Sequence, residues 1–419
     1  MGAWGTGFVA LMGSRLRRLM ASQTRSGRLA FVPVRFGDDL VGGAEMLVRE
    51  TADGLAARGW SVDVLTGCAR DHFREPHHYA PGVTERPGAA RLVRFPSVVS
   101  SHRADRVLGN RALAAGRPLT VAEQYRWCND DVRVPGLFDH LLAHGHEYRA
   151  VVFAPYLYWT TVAGVQAVPD RSALIPCLHD EPTAALDVVA APFRSARDVW
   201  FCTEPEADLA RRRHPDLAPH VVLGTGVTEP GPADPERFRA RFGIDGPFAL
   251  YAGRREVGKG FDALLADFVA AVEHVPEPVR LVCIGPGPAR LPERARRVVV
   301  DLGQVDASAR DDAMAAATAV LQPSPWESFS RTMMEAWLAG AFVIANRACA
   351  VSAWHCARAG AGATYADPDD LAAALRRALG PDAAADGGRG REYVRREYTW
   401  SAVLDRIEAR LDARFPVAS

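Results

Sequence analysis

From residue 28 onward the chain alternates short apolar runs with longer stretches of helical periodicity. RLAFVPV (28–34) predicts a buried strand, GAEMLVRETADGLAARG (43–59) a helix closed by Gly59, and SVDVLT (61–66) a second strand. AVVFAP (150–155), ALIPCL (173–178), VWFC (199–202) and HVVL (220–223) read as further strands. After residue 247 the alternation restarts with FALYAG (248–253), RLVCIG (280–285), ATAVLQP (317–323) and AFVIAN (341–346). Short apolar strands separated by helices are the mark of parallel sheets covered on both faces, because each parallel crossover lays a helix on the sheet. The expectation is an α/β protein with two Rossmann-like domains, their parallel sheets facing a central cleft.

Between the two series lies GVTEPGPADPERFRARFGIDGP (226–247), rich in Pro, Gly and charge, which reads as a linker. The division that follows is an N-terminal extension at 1–28, a first domain at 29–225, a linker at 226–247, a second domain at 248–396, and a C-terminal helix at 397–419 that returns to the first domain. The extension is expected to be disordered or an amphipathic helix, with Trp4, Phe8, Leu11, Leu16 and Leu19 at helical spacing and Arg15, Arg17 and Arg18 between them. Its charge follows its apolar residues, the reverse of a secretory signal. Peripheral membrane contact through this helix is one expectation. Residues 70–148 show little periodicity and are rich in histidine, with His72, His77, His78, His140, His144 and His146 among others, which lack the spacing of metal ligands and read as solvent-exposed.

Composition narrows the function. The 419 residues carry 50 basic and 50 acidic side chains, interspersed, so there is no basic face of the kind that binds nucleic acid. Seven cysteines are odd in number, scattered and without a CxxC, which fits a reduced, cytoplasmic chain. Of the 50 basic residues one is lysine, Lys259, in GRREVGKGF (253–261). A compact, strongly hydrated ammonium on a flexible stem is not equivalent to a guanidinium fork, so a single lysine among arginines points to a role that Arg fills badly.

Three stretches offer chemistry at the carboxyl ends of strands, where open α/β sheets bind ligands. In VGGAE (41–45), Gly42 and Gly43 let a ligand approach a helix N-terminus and its free N–H groups. On the loop after FALYAG, Arg254 and Lys259 suit a diphosphate and its growing charge on departure. In PSPWESFSRTMMEAWLAGAFVIA (323–345), Glu327 lies in a turn and Glu335 on the following helix, where a carboxylate can accept from a vicinal diol such as a ribose. Ser328, Phe329 and Ser330 bring backbone N–H groups at that helix's start. Thr203-Glu204-Pro205-Glu206 reads as a capping box opening a helix. The only Asp-x-Asp, Asp367-Pro-Asp369, reads as a cap rather than a metal ligand.

GGAE, GRREVGKG, IGPGP (284–288), LGQV (302–305) and ESFSRTMMEA (327–336) occur in the order found in the GT-B retaining glycosyltransferases of family 4, which the chain resembles over roughly 29–410. The resemblance implies transfer of a sugar from a nucleoside diphosphate donor to a hydroxyl acceptor, with retention of configuration and with neither metal nor cofactor. It implies that Arg254 and Lys259 hold the diphosphate, Glu335 the ribose and Glu327 the donor sugar. It implies too that the Ser328–Ser330 amides meet phosphate, that Val305 of LGQV lines the donor site, and that Gly42 and Gly43 close over it. His179 in LHDEP falls where the family has a histidine beside the reacting centre. Ser330 departs from the family's usual Gly, and ACAVSAWHCARAGAG lacks its Gly-Gly-x-x-Glu. PYLYWTT (155–161) and LHDEP suggest a bacterial subgroup.

Three other classes fit the sequence less well. A glycan phosphorylase would need a Schiff-base lysine for pyridoxal phosphate, and the only lysine lies in the diphosphate loop. A dinucleotide-dependent oxidoreductase needs G-x-G-x-x-G, and IGPGPAR has Arg290 at the third glycine. A non-catalytic nucleotide-sugar-binding or regulatory protein of the same fold would be expected to have lost the charges that Arg254, Lys259, Glu327 and Glu335 supply.

Overall fold

The computed structural model describes residues 27–40, 42–71, 77–99, 104–287 and 291–417. The first 26 residues, with the expected amphipathic helix, lie outside them, as do Val41 and His72. Two open sheets carry the chain. The first is built from β1 (Arg28–Pro33), β2 (Ser61–Gly67), β3 (Gly82–Thr84), β4 (Arg91–Phe95), β5 (Tyr148–Ala154), β6 (Ser172–Leu174), β7 (Asp198–Phe201) and β8 (His220–Val222). Their order is β3-β4-β2-β1-β5-β6-β7-β8, parallel except for β3 at the edge. The second sheet holds β9 (Phe248–Ala252), β10 (Arg280–Ile284), β11 (Val299–Gly303), β12 (Ala319–Gln322), β13 (Phe342–Asn346) and β14 (Ala363–Tyr365), all parallel in the order β11-β10-β9-β12-β13-β14.

Each order reverses direction once. In the first sheet the chain moves outward from β1 to β2 and then returns to lay β5 on the other side of β1. In the second it moves from β9 to β10 and returns to lay β12 against β9. At such a point the two loops leaving adjacent strands diverge and leave a crevice. The loops at 253–260 and 323–330 flank one crevice, and those at 34–42 and 155–158 the other.

Several elements differ from the sequence expectation. β6 stops at Leu174, because Pro176 lacks an N–H and Cys177 takes a left-handed φ of 51°. The stretch expected to be a linker contains helix Pro235–Phe242, capped by Asp234. Its Phe238 stacks on Phe248 of β9, and Arg237 grips Asp312 at 2.6 and 2.8 Å, so this helix is part of the second sheet's cover. Residues 70–148 hold β3, β4 and helices Ala104–Ala114, Val121–Asn129 and Pro135–His144. Of its histidines, His140 is half-buried with Nε2 3.2 Å from the Tyr148 hydroxyl, and His144 pairs with Glu147. No metal-ligand cluster occurs among the described residues.

One apolar cluster runs through both sheets. It passes from Phe31 and Val62 by way of Val227, Tyr398 and Leu404 to Met333 and Trp337. Helix Trp400–Arg414 contributes Leu404, Ile407 and the fully buried Leu411, and its Glu408 accepts from the Trp60 indole N–H at 2.9 Å. No described helix is long and apolar enough to cross a membrane.

His214 is buried in this framework as a neutral base. His214 stacks on Phe193 with ring centroids 4.3 Å apart, and burial pushes its pKa down to about 4, helped by Arg194 and Arg213. Because the unfolded imidazole takes up its proton near 6.5, the folded state loses stability as pH falls from there toward about 4. His214→Phe keeps the stack and removes the titration. Urea unfolding across this range should show a pH slope smaller by about 1.4 kcal/mol per unit than wild type; an unchanged slope would mean that His214 is protonated in the fold.

Candidate active site

The loops at the second sheet's crevice are closed by one ion pair. Lys259 Nζ lies 2.8 Å from Glu327 Oε1, joining the loop after β9 to the loop after β12. Neighbouring side chains fix both partners. Gln322, the last residue of β12, donates from Nε2 to Glu327 Oε1 at 3.2 Å and to Ser330 Oγ at 2.6 Å. The fully buried Ser324 donates to the carbonyls of Trp326 (2.8 Å) and Gly258 (3.3 Å), and Asn346 donates to Pro323 O at 2.9 Å. Gly260, at φ 69°, is required here, because a Cβ would lie 2.5 Å from Pro323 O.

His179 reaches the same crevice from the first sheet. Its loop follows β6, and the charges that bear on its ring are Glu181, Glu327 and Lys259. Burial pushes the imidazole below its usual range, more than the two carboxylates raise it, so the ring is neutral near pH 7. Glu181 is itself held by the Tyr156 hydroxyl at 2.5 Å.

The other expected residues divide. Glu335, one turn into helix Arg331–Ala339, accepts from Arg331 Nε at 3.0 Å and lies 4.0 Å from Arg310. Arg331 also makes a bidentate pair with Glu50 of the first domain, at 2.6 and 3.0 Å. A cavity of about 240 Å³ opens on Glu335, Arg331, Arg310, Glu50 and Met46. Gly42 is the N-cap of helix Gly43–Ala57, and Gly43 is exposed at its start. Val305 is half-buried between β11 and the Asp306 cap of the next helix. The Phe329 ring is core, edge-on to His355 and Tyr398, which leaves only its backbone to meet a ligand.

Arg254 is not brought to the Lys259–Glu327 pair: it is exposed and pairs with Glu256 at 3.1 Å. Arg255 points inward instead, bonded to Asp301 and to the Gly285 carbonyl, and ties the loop after β9 to the loop after β10. Two adjacent arginines look alike in sequence, and a buried acceptor such as Asp301 has no local signal. Arg331, Glu50 and Gln322 were missed for the same reason. Thr203 does cap its helix, accepting from Glu206 N at 3.3 Å, and the Glu206 carboxyl also accepts from Leu178 N and Cys202 N.

In chemical terms the crevice offers an ammonium, a carboxylate, helix N-termini on both sheets and a neutral imidazole. A diphosphate fits the cations and N–H groups, and a polyol fits Glu327 and Glu335. The comparisons with known proteins agree on the class. Residues 246–380 match the family described as glycosyl transferases group 1. Sucrose-phosphate synthase from Thermosynechococcus elongatus superposes with a TM-score of 0.68 at 20% identity, over 94% of this chain and all of that one. Anabaena HepE, solved with UDP and glucose, gives 0.65 at 16% identity over 92% of this chain and all of that one. The fold is GT-B.

The chain is a glycosyltransferase, and it carries the glycosyl transferases group 1 domain in its second half. It is 27% identical over 407 residues to a D-inositol 3-phosphate glycosyltransferase of Acidothermus cellulolyticus, an alignment spanning 87% of this chain and 84% of that protein. A protein of the same name from Xylanimonas cellulosilytica is 32% identical over 189 residues, 40% of this chain and 42% of its own.

Ser330 explains a departure from the family pattern. It sits at φ 66°, the left-handed region that glycine enters without strain, and its hydroxyl accepts from Gln322. Ser330→Ala keeps the strain and loses the bond, whereas Ser330→Gly loses both. The glycine variant should therefore be the more stable of the two by about 1 kcal/mol in chemical unfolding; equal stabilities would contradict the strain.

Proposed function

We propose that the protein transfers a sugar from a nucleoside diphosphate donor to a hydroxyl acceptor, with retention of anomeric configuration and without a metal ion. The observation that carries the reading is the Lys259–Glu327 pair at the crevice of the second sheet, with neutral His179 facing it from the first. Each member of the pair gives the other a counter-charge. A donor offers better partners, its diphosphate oxygens for Lys259 and its sugar hydroxyls for Glu327. Arg254, exposed and paired with Glu256, turns to the diphosphate. Glu335 takes the ribose hydroxyls, and Gly42, Gly43, Val305 and the amides of Ser328, Phe329 and Ser330 line the rest of the donor.

As the bond from the anomeric carbon to the diphosphate oxygen breaks, negative charge grows where Lys259 and Arg254 are placed. Stabilising developing charge is the largest single contribution to many enzymatic rates. The acceptor hydroxyl gives its proton to the departing diphosphate oxygen and bonds to the anomeric carbon on the same face. The imidazole of His179, held neutral, can accept a hydrogen bond from the donor sugar without adding charge to the site. Metal independence is supported by the one Asp-x-Asp being spent on structure, since Asp367 caps helix Pro368–Ala378 and accepts from Asp370 N at 2.9 Å.

UDP-sugars are the first donors to try, since HepE was solved with UDP and glucose. The relatives' name makes a phosphorylated polyol one acceptor to try. Cytoplasmic placement, with or without membrane contact through residues 1–28, belongs to the same reading. In product analysis by NMR the new linkage should keep the donor's configuration, and the rate should be unchanged by EDTA. Glu327→Gln should lower kcat by about 100-fold with an unchanged melting temperature. An inverted product, or full loss of rate on chelation, would overturn the reading.

A further inference from the structure

Among the described residues, two non-glycines have left-handed φ, Cys177 (51°) and Ser330 (66°). Such strain persists only where the surroundings impose it, and it concentrates at functional loops. Cys177 stands two residues before His179, and Ser330 three after Glu327, on opposite walls of the cleft. Between them runs a continuous chain of hydrogen bonds through helix Glu204–Arg213.

Its centre is Glu206, 1% exposed, with no cation in ion-pair range among the described residues. Its two oxygens accept the backbone N–H groups of Leu178 and Cys202, each at 2.6 Å. Burial pushes its carboxyl up to about 8, against the pull of these N–H donors and that of Thr203. At about 8 the carboxyl is largely protonated at neutral pH, and an acid buried here is poorly explained by helix capping, which the Thr203 hydroxyl already performs. A carboxyl, protonated or not, keeps lone pairs on both oxygens, whereas an amide has them on one, and here the two oxygens join the loop after β6 to the loop after β7. Thr203 then continues the chain. Its hydroxyl accepts from Glu206 N at 3.3 Å and donates to the Ser328 carbonyl at 3.0 Å, across the cleft.

We propose that Glu206 and Thr203 are positioning residues that hold the His179 loop in register with the 327–330 loop across the cleft. The value of that register rests on the glycosyltransferase reading of His179 and Glu327; the coupling itself does not. The Leu178 N–H bonded to Glu206 belongs to the Cys177–Leu178 peptide, one before the peptide that enters His179. The Ser328 carbonyl bonded to Thr203 belongs to the Ser328–Phe329 peptide, one after the peptide that leaves Glu327. A change at either wall is thus felt at the other through three hydrogen bonds as well as through the shared apolar cluster.

Hydrogen exchange on the full chain tests the coupling without substrate. Glu206→Gln, at a carboxyl whose hydrogen bonds go to Leu178 and Cys202 in the first domain, should speed exchange roughly ten-fold in peptides covering 176–182 and also 327–331. Thr203→Val, isosteric and without the hydroxyl, should do the same at 327–331, and Thr203→Ser should restore wild-type rates. Should Glu206→Gln fail to fold, the Val and Ser pair decides alone. Acceleration confined to 203–213, or Ser behaving like Val, overturns the proposal. UDP titration of wild type and Lys259→Ala reports separately on the donor site, so failure of that reading is told apart from failure of the coupling.

Discussion

The ion pair between Lys259 and Glu327 is the interaction on which the rest of the site depends. It spans the crevice that the strand order β10-β9-β12 opens, where two loops leave neighbouring strands and turn apart. Holding an ammonium and a carboxylate 2.8 Å apart there takes support from both loops. Gly260 lets one chain pass close to Pro323, while Gln322, Ser324 and Asn346 pin the other.

The two sheets meet this crevice by different means. A common apolar cluster and helix Trp400–Arg414 join them along one side. At the cleft itself the joints are polar and directional, with Arg331 on Glu50 and Thr203 on Ser328. Apolar burial stabilises without specifying orientation, whereas hydrogen bonds and bidentate pairs fix it. The division suits the proposed reading, in which His179 of one half and Lys259 with Glu327 of the other act on the same donor.

The parallel strands were legible in sequence because burial on both faces writes them as continuous apolar runs. What was not legible had weaker or inverted patterns. β3 and β14 are three residues each, and helix Ala104–Ala114 exposes Val107 and Leu108 while burying only Gly109. Helix Pro235–Phe242 was hidden by its many arginines, whose partners lie some 70 residues away in Asp306 and Asp312. In the site, the motif residues could be named one by one, but their pairings could not. Glu50 and Arg331 are 281 positions apart, and nothing local distinguishes the inward Arg255 from the outward Arg254.

The central claim is that the one lysine among 49 arginines is there to meet a diphosphate. Thermal unfolding with UDP, GDP, ADP, CDP and dTDP, on wild type and Lys259→Ala, tests it most directly, because a ligand that binds only the folded state raises its melting temperature by mass action. At least one nucleotide should stabilise wild type, with a shift that survives EDTA and vanishes in the variant. Equal shifts in both proteins, or none in either, would contradict the claim.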